Sequence, residues 1–361
     1  MNNVTELKQY VVVHARGQNI PGYREVLDRI QTDEGDGPGS WVGEWCRAGE
    51  RQEAAGSLLE AGRNYALARF PYVDGPARQQ ALERCVSTFD RWRMSRGTAD
   101  IERLDVDVDG SKVGCWATGL STSEPQPLLL VLGGIVTVKE QWAPLLASAG
   151  RLGLAAIVTE LPGAGENPLR YGPDSWTMLS ALLDAVADRA DVQRSYAMAL
   201  SFSGHLALRC ALADPRLRGV ITVGAPVADF FTDVAWQRGL PRITVDTLAQ
   251  LTGTPAADLP GSLSDWALTN GQLASLRIPV SYTASRRDEI IPAADVQRLR
   301  RQVPRLRLVE NDDEHGSPRH TAETQLWCIA ELLRMRGGQL AQRGVLRSLY
   351  RLRRATTHLS S

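Results

Sequence analysis

The chain has 361 residues, 43% hydrophobic and 23% charged, an ordinary globular balance with a core large enough to need no disulfide or metal staple. Basic and acidic residues cancel at 41 each, which excludes a whole-molecule attraction for nucleic acid or an anionic membrane. Five widely spaced cysteines (Cys46, Cys85, Cys115, Cys210, Cys328) form no CxxC pair, which argues against a disulfide framework or zinc site and points to a reducing cytoplasm.

The opening MNNVTELKQYVVVHARGQ lacks the apolar centre of a signal peptide, and Pro125 to Val138, the longest uncharged apolar stretch, is too short to span a bilayer. Residues 1–98 read as a helical cap or domain. Trp41, Trp45, Ala54, Ala55, Leu58, Leu59, Ala61, Tyr65 and Ala66 recur at three- and four-residue spacings. Pro76 to about Met94 repeats that pattern through Ala81, Leu82, Cys85, Val86, Phe89 and Trp92. Gly35–Gly39 and Pro71–Pro76 punctuate the helices.

From Ile101 the period becomes two. Leu104, Val106 and Val108 alternate with aspartates, and Asp109-Gly110 predicts a hairpin turn. Apolar runs of strand length follow at Leu128–Leu132, Leu154–Thr159, Ser195–Leu200, Leu217–Val223, Ile278–Ala284 and Leu306–Val309, separated by helical patterns. Such alternation predicts an α/β fold with a mostly parallel sheet covered on both faces, spanning residues 99–336. An insertion of residues 224–277 breaks the rhythm with short helices around Val245–Leu251 and Leu263–Leu276, in a position suited to a lid. Residues 337–361 form a basic helix or tail, with Val345, Leu349 and Leu352 on one face; packing on the body is the plain expectation, a membrane or partner surface the sharper one.

The chemistry concentrates at strand ends. Ser201 follows a strand and precedes a helix, the setting of a nucleophile elbow, although Ala199 and Ser203 stand where glycines are usual. The plain alternative is a serine capping the helix. Asp288 lies past the next-to-last strand and His315 past the last, so Ser…Asp…His appear in the chain order of an α/β-hydrolase. His320 and His205 are weaker rivals of His315, Glu289 of Asp288, and Asp312 and Asp313 read as loop polarity. An oxyanion hole would draw one N–H from Phe202 and another from Gly134 or Ile135 in the loop after Leu132. The run Thr159–Asn167 matches neither phosphate-loop pattern, and no clustered metal-ligand set occurs, so neither cofactor nor metal is expected.

These residues, with Gly133-Gly134-Ile135…Lys139-Glu140, Glu160-Leu-Pro-Gly-Ala-Gly-Glu166 and the helical segment Ala54-Ala55…Ala68-Arg69-Phe70-Pro71, resemble the α/β-hydrolases related to the fermentation–respiration switch protein, a group that includes dihydroxypseudooxynicotine hydrolase. The similarity runs over roughly residues 40–335. It implies an α/β-hydrolase fold with an N-terminal helical cap, a cofactor-free serine site, and a small-molecule substrate. Family members cleave esters or C–C bonds, and relatives in bacterial polyketide pathways tailor acyl intermediates, one group by eliminating acetate from acetylated tetronates. Three expectations follow: a serine hydrolase on an ester or acyl group of a polyketide-like metabolite, an acetate-eliminating lyase, or a regulatory binding module without catalysis. Phe230, Phe231, Trp236, Trp266 and Tyr65 are candidate pocket walls or core residues, and a homodimer through the helical region is the partner expectation besides substrate.

Overall fold

Strands that are apolar at nearly every position are stable only between two covering layers, and the centre of this protein is built from such strands. The computed structural model describes residues 2–95, 100–337 and 340–359. Its strands are β1 (Ile101–Val108), β2 (Ser111–Thr118), β3 (Pro127–Leu132), β4 (Ala155–Thr159), β5 (Asp191–Ala199), β6 (Leu217–Val223), β7 (Val280–Ser285) and β8 (Leu306–Asn311). They lie side by side in the order β1-β2-β4-β3-β5-β6-β7-β8. The hairpin β1–β2 turns on Asp109 and Gly110, both with positive φ, as a two-residue turn between twisted strands requires. β2 meets β4 antiparallel, and the remaining neighbours are parallel.

Side chains alternate between the layers. Leu128, Leu130 and Leu132 of β3 join the core under helices Thr177–Ala185, Phe202–Ala213 and Ala293–Gln302. Leu129 and Val131 face the opposite layer with Leu146 and Ala149, and with Trp327, Cys328 and Leu332 of helix Thr321–Arg336. β5 starts four residues earlier than its apolar run, because Asp191 pairs with Pro127 before the strand enters the core.

The amino-terminal region folds as helices Val4–Gly17, Tyr23–Arg29, Trp41–Ala54, Leu58–Arg69 and Pro76–Ser95. The periodicity read across residues 41–66 is broken at Gly56, whose φ of +75° ends one helix before the next begins. Phe89 packs on Trp116 of β2 with ring centroids 5.0 Å apart, so the helical layer shares a core with the sheet. Ile243, from helix Arg242–Thr252 of the insertion, joins the core of the first helix. The second predicted insertion helix is divided: Ser264–Trp266 is a short turn, and a capping box between Thr269 and Gln272 restarts the chain as Asn270–Ser275.

The carboxyl-terminal helix, Leu340–Leu359, docks by Tyr350 and by Arg354, whose Nη2 donates to the Glu310 carbonyl at 3.1 Å. Val345, Leu349 and Leu352 instead lie outward at 61%, 45% and 65% exposure, because the docked face is the one carrying 350 and 354. No helix among the described residues is long and apolar enough to cross a membrane.

One buried carboxylate anchors the start of the insertion. Asp295 is fully buried and accepts from the N–H groups of Val227, Ala228, Asp229 and Phe230 at 3.1, 2.9, 2.6 and 3.3 Å. Burial pushes its carboxyl up to about 6 against the pull of those four donors. Asp295→Ala strands all four, so a loss of about 4 kcal/mol or more is expected from denaturant midpoints. Asp295→Asn keeps one acceptor oxygen and is expected to lose roughly half as much; equal midpoints for wild type and the alanine variant would refute the anchor.

Candidate active site

β5 delivers Ser201 into a turn too tight for ordinary backbone: its φ is +53° and its ψ −130°. Such strain persists only where the surroundings over-determine it. Here the Ser201 N–H donates to the Val223 carbonyl at 2.8 Å and the Leu200 N–H to the Leu132 carbonyl at 3.0 Å, which lock the turn to β6 and β3. The helix Phe202–Ala213 starts at once, and the N–H of its first residue has no intrahelical acceptor. Ser203, the departure from glycine, is fully buried, and its hydroxyl donates to the Gly133 carbonyl at 2.6 Å.

Ser201 Oγ lies 3.0 Å from Nε2 of His315, although 114 positions separate them. On its other side the imidazole places Nδ1 3.0 and 3.1 Å from the two oxygens of Asp288. Asp288 is fixed in turn, since Oδ1 accepts from the N–H groups of Ile290 and Ile291 at 3.0 and 2.8 Å. A carboxylate there selects the tautomer with the proton on Nδ1, leaving Nε2 free to accept from the hydroxyl. Gly224, at φ +61°, makes room for the ring: a Cβ there would stand 2.8 Å from Cε1 of His315.

Burial lowers the basicity of His315, but the charge and hydrogen bond of Asp288 outweigh it, and the net shift is upward from 6.5. Only neutral imidazole accepts a proton, so a raised value moves the acid limb of activity to higher pH. In the profile of kcat/KM against pH, the acid limb is therefore expected above 6.5. A limb centred below 6 would contradict the coupling to Asp288.

The loop after β3 closes the other side of the serine. A Cβ on Gly134 would lie 3.3 Å from Cβ of Ser201, so this backbone passes directly beside the hydroxyl. The Gly134 carbonyl accepts from the N–H and Oγ1 of Thr137 at 3.2 and 2.9 Å. In a trans peptide C=O and N–H point in opposite directions, so the Ile135 N–H is aimed away from Thr137. Behind the loop, fully buried Lys139 reaches Glu140 at 3.0 Å and Glu160 at 3.6 Å, and also Glu166. Glu160 accepts from the Lys139 N–H at 3.1 Å, and burial pushes its carboxyl up to about 7 against the pull of Lys139.

Other residues singled out from sequence fall elsewhere. His320 donates Nδ1–H to Asp313 at 2.8 Å, and Asp313 is buried, also accepting from the N–H and Nε of Arg319, so it organises the loop. His205 is tied to the Trp266 carbonyl at 2.9 Å and packs on Phe231; burial drives it down to about 3. Glu289 turns its carboxylate to the His315 N–H, at 3.0 Å. Phe230, Phe231, Tyr65 and Trp266 are core side chains, whereas half-buried Trp236 donates to the Ile290 carbonyl at 2.8 Å, beside the Asp288 turn.

Sequence attaches no role to three groups of the helical layer. The first helix packs against the turn Pro318–His320 and brings Tyr10 and His14, one turn apart, toward the triad loops. Burial raises the Tyr10 phenol, and the charges of Glu289, Glu6, Glu314 and Asp288 add to this. Burial, with the nearby cations Arg69 and His315, lowers His14 to about 4, so its ring is neutral at pH 7. Arg69 is the third. Tyr10 and His14 left no signal in sequence, and Arg69 stood in the segment Ala68-Arg69-Phe70-Pro71 with no role attached to it.

Comparison with known proteins relates the chain to esterases. A family profile described as Esterase FrsA-like matches residues 28–299. The curated Esterase FrsA of Photobacterium profundum is 23% identical over 299 residues, covering 76% of this chain and 70% of its own. The solved structure of AbyA5 wild type is 55% identical, covers 97% of this chain and 99% of its own, and superposes with a TM-score of 0.93. The crystal structure of 2,6-dihydroxy-pseudo-oxynicotine hydrolase, 21% identical, shares the fold at a TM-score of 0.65, covering 94% of each chain. The architecture is that of an α/β-hydrolase with an amino-terminal helical region.

Proposed function

The chain belongs to the FrsA-like esterase family, and from that membership and the site geometry we propose that it is a serine hydrolase cleaving an ester or acyl group of a small, polyketide-like molecule. The observation that carries the reading is the unbroken hydrogen-bonded series from Ser201 through His315 to Asp288. Ser201 Oγ attacks the carbonyl carbon while its proton passes to Nε2 of His315. The carbonyl oxygen gains the negative charge and is met by the N–H groups of Phe202 and Ile135. Ile135 serves rather than Gly134, because the Gly133 carbonyl is turned to Ser203, which aims the Gly134 N–H away from the elbow. The C–O bond to the alcohol then breaks, His315 returns the proton to the leaving oxygen, and an acyl-serine remains. Water, deprotonated by His315, attacks the acyl carbon and restores Ser201 as the free acid departs.

A second reading, elimination of acetate, draws on one observation: the first helix packs against the turn that follows His315, and a covered site favours elimination over hydrolysis. In that reaction a base takes a proton from carbon, the electron pair forms a C=C bond, and acetate leaves with both its oxygens. Turnover of an acetylated substrate in ¹⁸O-water separates the two. Label in the released acid marks hydrolysis; an alkene with unlabelled acetate marks elimination and would overturn the first reading. A fluorophosphonate-reactive serine is expected at position 201 under hydrolysis, and no labelling would leave the binding module or a lyase that uses only a base.

A further inference from the structure

Arg69 has no part in the chemistry described so far, yet it is 1% exposed. It ends the helix Leu58–Arg69 and donates Nη1 to the Pro71 carbonyl at 2.8 Å and Nη2 to the Val136 carbonyl at 2.9 Å. Its Nε is buried with no hydrogen-bond partner. Among the described residues no carboxylate forms an ion pair with it: the nearby acids Glu140 and Glu160 are held by Lys139 at 3.0 and 3.6 Å. Burial pulls the guanidinium down to about 10, which still leaves it charged at pH 7. A charge held away from water with an idle donor is costly unless an anion completes it.

The same residue, though not through its buried Nε, borders empty space. A cavity of about 130 Å³ lies between the helical layer and the body, lined by Arg69, Tyr72, Ile135, Gly163, Gln250 and Leu251 among others. A cavity near 150 Å³ accepts a benzene-sized ring. Ile135 belongs both to this wall and to the loop passing beside Ser201, so one loop borders the cavity on one side and the serine on the other.

We propose that this cavity is an acid pocket, in which Arg69 receives a negatively charged oxygen group carried by the substrate a short distance from its scissile carbonyl. The inference rests on the hydrolase reading only for the identity of the scissile bond. It names the substrate class: esters bearing a carboxylate or an equally acidic, deprotonated oxygen.

The test compares 4-acetoxybenzoate with its uncharged methyl ester, following acetate release. The readout is the ratio of kcat/KM for the two probes, since Arg69→Met also frees the Val136 carbonyl and lowers both values. That ratio is expected to fall at least about 30-fold in Arg69→Met, mostly through KM, and less in Arg69→Lys, which keeps the charge but not the fork. A ratio unchanged within about threefold overturns the pocket and leaves Arg69 as a strut. Calorimetry on Ser201→Ala needs no change at Arg69: the carboxylate is expected to bind at least about tenfold tighter than the methyl ester, and equal affinities overturn the proposal. Tighter carboxylate binding in a protein that cleaves neither probe supports the pocket while removing the hydrolytic role of Ser201.

Discussion

Ser201→Ala is expected to lower kcat by about 10⁶, to the level that binding and oxyanion donors alone sustain. The loss is that large because the three side chains act as one unit: without Oγ, His315 and Asp288 have nothing to activate. The variant should fold. The backbone bonds that lock the turn, from Ser201 to Val223 and Leu200 to Leu132, do not involve the hydroxyl, and alanine is no larger than serine. Initial rates on an aryl acetate, with melting curves for both proteins, check this. A variant retaining more than about 1% of wild-type kcat would mean that another group carries the reaction.

Asp288→Asn comes second, with an expected loss of about 10⁴ in kcat and little change in stability. The reason lies in the turn that holds the side chain. Ile290 and Ile291 each donate an N–H to Oδ1, so the amide of asparagine settles with its oxygen toward them and its NH₂ toward the imidazole. Nδ1 must then accept rather than donate, the ring proton moves to Nε2, and the nitrogen facing Ser201 can no longer take a proton. Removing the carboxylate also removes what holds His315 above its ordinary value, so the residual activity should show its acid limb at lower pH than the wild type. A fall of less than about tenfold, with an unmoved limb, would show that Asp288 does not set the tautomer.

Much of this arrangement was legible in the amino-acid order, for a reason that applies only to part of it. A strand buried on both faces leaves an apolar run, as at Leu128–Leu132, and in a parallel sheet all such runs end at the same edge. Polar residues immediately after the runs, Ser201, Asp288 and His315, are therefore neighbours in space even when far apart in sequence. Helical periodicity carries less. It says that a helix such as Pro76–Ser95 has a covered face, not what covers it, and the approach of Tyr10 and His14 to the triad had no sequence signature. Arg69 was hidden differently, as one arginine in a chain whose cations are nearly all arginine. In the tail, Val345, Leu349 and Leu352 share a face as read, but packing chose the adjoining face, through Tyr350 and Arg354.

A hydroxyl where the usual nucleophile elbow has glycine has one more consequence. Because Ser203 grips the Gly133 carbonyl, the corner that presents the attacking oxygen and the corner that would cradle the developing charge are stapled into a single rigid piece. Thermal drift of either carries the other with it, so their spacing is buffered against the jostling of the helices above. A glycine restored at that position would cut the staple, trading constancy of alignment for play.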